Sequence, residues 1–154
     1  MTTYIVTNGT TVLGNDSVQG TAGTSDTVTL LGSGGTLSVS AIDSVIGTGG
    51  TSDAVALLGT GAGEVSVSAI ESVLGRSGET DTVTLLDGSG TVRVSLVDEV
   101  IGTTATTDVI GMLSGGALSV SAVESVAGSA TTDTVTLLDN GGVTVSGVES
   151  VIGA

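Results

Sequence analysis

The sequence predicts an all-β protein, a parallel β-solenoid built by stacking copies of one short unit. Three observations predict it. Two markers recur about every 27 residues along nearly the whole chain, and apolar and hydroxylated residues alternate with a period of two inside each unit. The apolar residues are almost all Val, Leu, Ile and Ala, with one Tyr and no Phe or Trp in 154 residues.

The first marker is an acid and a valine closed by glycine: Asp16-Ser-Val-Gln-Gly20, Asp43-Ser-Val-Ile-Gly47, Glu71-Ser-Val-Leu-Gly75, Asp98-Glu-Val-Ile-Gly102, Glu124-Ser-Val-Ala-Gly128 and Glu149-Ser-Val-Ile-Gly153. Its glycines are spaced 27, 28, 27, 26 and 25 residues apart. The second marker, Asp26, Asp53, Asp81, Asp108 and Asp133, runs in step at 27, 28, 27 and 25. A fixed period of this length is the signature of a repeat architecture.

Each unit holds three extended stretches. In the first they are Thr27–Leu31, Leu37–Ala41 and Ser44–Ile46, separated by glycine-rich turns at 32–35 and 47–50. Val28 and Leu30 share one parity against Thr27 and Thr29, as Leu37 and Val39 do against Ser38 and Ser40, which puts one side of each strand in a core. Ile42 and Val45 differ in parity, so a corner is expected at the acid between them. Residues 1–20 read as an abbreviated N-terminal coil, with Tyr4-Ile-Val-Thr7, a turn at Asn8-Gly9, Val12-Leu13 and Asp16-Ser-Val18. Residues 21–154 read as one domain of five full coils.

No 27-residue unit can bury its apolar side alone, whereas stacked units can, each strand pairing in parallel with one a coil away. Three strands and three corners per coil predict a three-sided right-handed β-helix with about 27 residues per coil. In it Val28, Val55 and Val83 form one buried row. A two-sided β-roll is the alternative.

Composition narrows function. The formal net charge is −14, with two Arg and no Lys. That excludes nucleic acid and anionic membrane as partners, since both require clustered cations, and no apolar run is long enough for a transmembrane helix. With no Cys there is no disulfide framework. The N-terminus, Met1-Thr-Thr-Tyr-Ile-Val-Thr-Asn, lacks the basic start and apolar stretch of a Sec signal peptide. No His, Cys or Lys is present to form a usual base–nucleophile pair, and the units carry no insertions that could wall a cleft. The chain is therefore read as a non-enzyme with no required cofactor.

If equivalent residues stack, the acids form ladders. The two acidic markers account for eleven of the sixteen carboxylates, and neighbours about 4.8 Å apart repel by roughly 1 kcal/mol in water and more when partly buried. Turn hydrogen bonds to backbone N–H groups and solvation relieve this in one reading. Calcium bound by Asp26, Asp53, Asp81, Asp108 and Asp133 relieves it in the other, since Ca²⁺ takes several hard oxygen ligands. Gly47-Thr-Gly-Gly-Thr-Ser-Asp53-Ala-Val-Ala-Leu57 and Gly75-Arg-Ser-Gly-Glu-Thr-Asp81-Thr-Val-Thr-Leu85 resemble the Gly- and Asp-rich calcium repeat of RTX proteins, with one extra residue before the Asp. The resemblance implies a secreted, calcium-using parallel β-roll exported without a Sec signal. Thr27/Thr29, Thr82/Thr84 and Thr134/Thr136, interrupted by Ala54/Ala56 and Val109/Gly111, are similar to the T-x-T faces of ice-binding solenoids. Ser38/Ser40, Ser66/Ser68 and Ser119/Ser121 suggest a second hydroxylated column.

Gly153-Ala154 stands at the phase of the repeat at which Gly20 closes the first coil. Head-to-tail stacking with copies of itself is therefore expected, giving an extracellular filament or surface-layer component. The alternative is a repeat module of a calcium-dependent RTX-like adhesin or an ice-binding protein.

Overall fold

The computed structural model describes residues 3–6, 10–13, 16–21, 25–31, 34–49, 52–61, 63–87, 89–104 and 107–153. Among them β-branched and leucine-rich segments form β1 (Thr3–Ile5), β2 (Thr10–Leu13), β3 (Ser17–Gln19), β4 (Thr27–Leu31), β5 (Gly35–Ser40) and β6 (Ser44–Ile46). There follow β7 (Asp53–Leu57), β8 (Gly63–Ser68), β9 (Ser72–Leu74), β10 (Asp81–Leu85), β11 (Ser89–Ser95) and β12 (Glu99–Ile101). The last six are β13 (Thr107–Met112), β14 (Gly116–Ser121), β15 (Ser125–Ala127), β16 (Asp133–Leu137), β17 (Thr144–Ser146) and β18 (Ser150–Ile152). The expected turn at Asn8-Gly9 and part of the turn at 32–35 lie outside the described residues.

The architecture is a parallel β-solenoid, as expected, but its coil is two-sided. The odd-numbered strands make one nine-stranded parallel sheet and the even-numbered strands another, so every successive strand crosses to the opposite sheet. One turn takes about 18 residues: Gly35 pairs with Asp53, Gly63 with Asp81 and Ser89 with Thr107. A 27-residue unit therefore winds one and a half turns, and the three-sided, 27-residue coil is corrected.

Valines 28, 55 and 83 show the difference. All three are fully buried, yet they form no single row. Val28 pairs with Val45 in the even sheet, Val55 with Leu37 and Val73 in the odd sheet, and Val83 with Val65 and Val100 in the even sheet again. Successive units are thus related by a half-turn about the long axis.

The physical reason lies in the side chains. Two sheets packed about 10 Å apart leave one interdigitated layer, which Val, Leu and Ile fill. The observed core is one continuous aliphatic cluster running the length of both sheets, from Val6 to Val135.

Each unit supplies a first-kind strand after the Asp, a second-kind strand, and a short third-kind strand after the second acid. Along either sheet the kinds follow in the order first, third, second. In the even sheet β4, β6 and β8 are such a triplet, and in the odd sheet β7, β9 and β11. Nine strands at about 4.8 Å give a prism roughly 40 Å long.

The corner between second and third strands is the same in every described unit. Ala41, Ala69, Leu96 and Ala122 adopt φ of 52, 51, 56 and 52°, and Gly147 does so at 62°. This left-handed conformation is costly for residues with a Cβ. It turns the carbonyls of Ala41, Ala69, Leu96, Ala122 and Gly147 against the closing glycines Gly20, Gly47, Gly75, Gly102 and Gly128. A Cβ at Gly102 would lie 2.0 Å from the Ala122 carbonyl oxygen, and one at Gly47 2.0 Å from that of Ala69. At these five glycines only hydrogen fits.

Candidate functional site

The acidic corners are built the same way five times. After the closing glycine the chain folds back, and the carboxylate six residues on, five in the last unit, captures the turn. Thr48 donates to Asp53 Oδ2 through its N–H at 2.7 Å and its hydroxyl at 2.9 Å, and the Gly34 N–H donates to Asp53 Oδ1 at 3.2 Å. The Thr21 N–H donates to Asp26 Oδ2 at 2.6 Å, and the N–H groups of Arg76, Thr103 and Ser129 to the Oδ2 atoms of Asp81, Asp108 and Asp133. All five Asp are buried. Hydrogen bonds to a charged acceptor are what make burial of a carboxylate tolerable.

The second acid closes a reciprocal clasp. The Asp53 N–H donates to Glu71 Oε2 at 2.6 Å, and the Glu71 N–H returns to the Asp53 carbonyl at 3.0 Å. Asp26 with Asp43, Asp81 with Asp98 and Asp108 with Glu124 repeat it. The Asp133 N–H likewise donates to Glu149 Oε2, at 2.7 Å. Either Asp or Glu reaches, which is why the acid of the first marker can be either one.

The half-turn between units separates the proposed calcium residues. Asp26, Asp81 and Asp133 open strands of the even sheet, while Asp53 and Asp108 open strands of the odd sheet. Members on one sheet stand three strands apart, about 14 Å. The expected acid-on-acid ladder is therefore corrected to isolated clasps. Among the described residues no group of three or more His, Cys, Asp or Glu is disposed to hold a metal ion.

In one unit a cation enters the corner. Arg76 Nη2 lies 2.5 Å from Asp81 Oδ1 and donates to the Gly61 carbonyl at 2.6 Å, with Nε 3.2 Å from the same carboxylate oxygen. The hydrogen bond to Asp81 holds the guanidinium pKa above its ordinary value. Gly63 makes the room, since a Cβ there would stand 2.5 Å from Arg76 Nη2. A second acid after the paired leucines caps the left-handed corner: Asp87 accepts from the Ala69 N–H at 3.0 Å and Asp139 from that of Ala122 at 2.5 Å. The Gly141 N–H also donates to Asp139, and these bonds hold its carboxyl below the usual range.

The outward faces differ from the expected columns. The Thr-x-Thr strands β4, β10 and β16 all lie in the even sheet, whereas Ala54/Ala56 and Val109/Gly111 lie in β7 and β13 of the odd sheet. The Thr pairs do not stack on one another: Thr29 adjoins Ile46, and Thr84 lies between Ser66 and Ile101. The Ser column also splits, Ser38/Ser40 to the odd sheet and Ser66/Ser68 and Ser119/Ser121 to the even. Among the charged residues outside the two acidic columns, Glu64, Glu99 and Arg93 stand apart. They occupy outward strand positions in β8, β12 and β11, and no periodicity singles them out.

The chain is thus a two-sided parallel β-solenoid with hydrogen-bonded acidic corners and two chemically distinct faces. No family model matches it, and neither does any curated protein or solved structure. Among the described residues no helix is long and apolar enough to cross a membrane.

Proposed function

We propose that the chain is a structural subunit that stacks head to tail into an extracellular filament or surface layer. The supporting observation is the phase of the strands that stand last in each sheet. β18 is a third-kind strand, and the order within a sheet calls next for a second-kind strand. β2, at the far end of the same sheet, is one. β17 is of the second kind and calls for a first-kind strand, which β1 is. A second copy placed end-on therefore continues both sheets without changing face or register, a heterologous contact that grows rather than closes. It also covers apolar surface. Val151 is 49% exposed in β18, whereas Val126, its counterpart in β15, is fully buried. Unpaired parallel edges of this kind are templates for further strands.

Electron microscopy of the purified 154-residue chain tests this. Filaments one solenoid wide are expected, and Val151→Lys with Val145→Lys should shorten them to single particles. A monodisperse monomer of the unsubstituted chain at high concentration would refute the reading.

A second reading, a binding module with a repetitive hydroxyl face such as an ice-binding protein, draws on the gathering of all three Thr-x-Thr strands on the even sheet. Thermal hysteresis measures it, and a freezing point equal to the melting point removes it.

A further inference from the structure

The two outward faces carry complementary charge. Although the chain bears −14 overall, the described strand positions facing outward from the odd sheet include no carboxylate. Its central charge is Arg93 in β11, an exposed side chain that makes no ion pair among the described residues. A Cβ at Gly111 would lie 3.6 Å from Arg93 Cγ, so the arginine stem runs along the bare backbone of β13 and the face stays flat. In its row Arg93 pairs with Ser72 and Gly111, and Ala54 and Ala127 lie one strand further out on either side.

On the even sheet the outward strand positions include two acids, Glu64 and Glu99, and they share a row. Thr82 pairs with Glu64 on one side and with Glu99 on the other, so the carboxylates flank it about 10 Å apart. They line a shallow depression of about 380 Å³, with Thr82, Thr84 and Ile101 in its floor and walls.

We infer that the odd-sheet face of one copy docks on the even-sheet face of a second copy, with Arg93 entering the depression between Glu64 and Glu99. The positions match without sliding. β10 and β11 are consecutive strands, hence half a turn apart in height. They run in opposite directions, and Thr82 is second in β10 while Arg93 is third from the end of β11. The two residues therefore sit back to back near the same edge of one solenoid. A sideways translation of the second copy brings its Thr82 row opposite the first copy's Arg93. Pairing odd face with odd face would set arginine near arginine, and even with even would set glutamate near glutamate. Only the unlike pair joins opposite charges, and juxtaposed like charges are what exclude wrong registers. A face roughly 40 Å by 17 Å gives about 1,300 Å² buried over both partners, enough for a specific interface. The contact is again heterologous, so it propagates. Together with end-on growth it would make a layer, yet it does not depend on end-on growth.

The test uses the full chain with Val145→Lys and Val151→Lys, so that end-on stacking is suppressed. Sedimentation velocity over a concentration series should show reversible self-association. Arg93→Glu should weaken it tenfold or more, and adding Glu64→Lys with Glu99→Lys should recover it. Association unaffected by Arg93→Glu, or a background variant that stays monomeric throughout, would overturn the proposal. Lateral association in a chain that never lengthens would uphold it and remove the filament reading instead.

Discussion

Replacing Asp53 by alanine should cost about 2–4 kcal/mol, and the clasp explains the size. The donors to Asp53 include the Thr48 N–H and hydroxyl and the Gly34 N–H. A hydrogen bond to a charged acceptor contributes about 1.5–3 kcal/mol, most when the donor cannot reach water once its partner is gone. Gly34 is exposed and finds water. Thr48 is half-buried, so its two groups carry the loss, partly recovered when the hydroxyl rotates. Asp53→Asn keeps the shape and one acceptor and should cost about 1–2 kcal/mol. Urea unfolding followed by circular dichroism measures both as a shift in midpoint, with the slope watched for loss of cooperativity in a repeat array. Each titration is run in calcium and in EDTA. If the carboxylate serves the turn alone, wild type and Asp53→Ala differ by the same amount in both. A gap under about 0.5 kcal/mol, within ordinary surface-mutation scatter, would refute the clasp argument. A gap that appears only in calcium would refute it in favour of metal ligation.

Three further outcomes follow from the same corners. Gly102→Ala should destabilise by about 3 kcal/mol or more, beyond ordinary overpacking, because its Cβ would meet the Ala122 carbonyl at 2.0 Å and Asp108 Oδ2 at 2.7 Å; thermal melting reads it. Ala41→Gly should stabilise by about 0.5–1 kcal/mol, the relief of left-handed strain of about 1–2 kcal/mol less glycine's extra unfolded-state entropy, and an unchanged urea midpoint would contradict the strain. Asp139, whose folded pKa is lowered by the Ala122 and Gly141 N–H groups, contributes stability that is complete above the unfolded value near pH 4 and is lost as pH falls through the folded value. The midpoint gap between wild type and Asp139→Asn should therefore shrink between pH 5 and pH 2.

Much of this fold was legible in the sequence. The Val28/Leu30 alternation named the buried side of the first strand, and the change of parity between Ile42 and Val45 placed a corner at Asp43, whereas the left-handed residue of that corner is Ala41, which the pattern had left in the second strand. The number of sides was not legible in those patterns. Strand starts fall eight or nine residues apart, as at Thr27, Gly35, Ser44 and Asp53, and that spacing suits three strands in a 27-residue coil as well as two in an 18-residue coil. Inward parity is identical either way. The discriminating signal was the alternation of Thr-x-Thr units with Ala-x-Ala and Val-x-Gly units, a period of two units, which equals three turns of a two-sided coil. For the site, the five Asp were found, but their partners were assigned by repeat position rather than by the half-turn that sets Asp53 beside Glu71.

A half-integer number of windings per unit makes parity heritable along this chain. Insert one extra 27-residue module anywhere, and every residue beyond it swings to the reverse side of the rod, threonines exchanged for alanines and Arg93 for glutamate. Insert two, and the rod lengthens by three rungs with both surfaces unchanged. Variants of this architecture that keep their two sides distinct must therefore gain and lose modules in pairs.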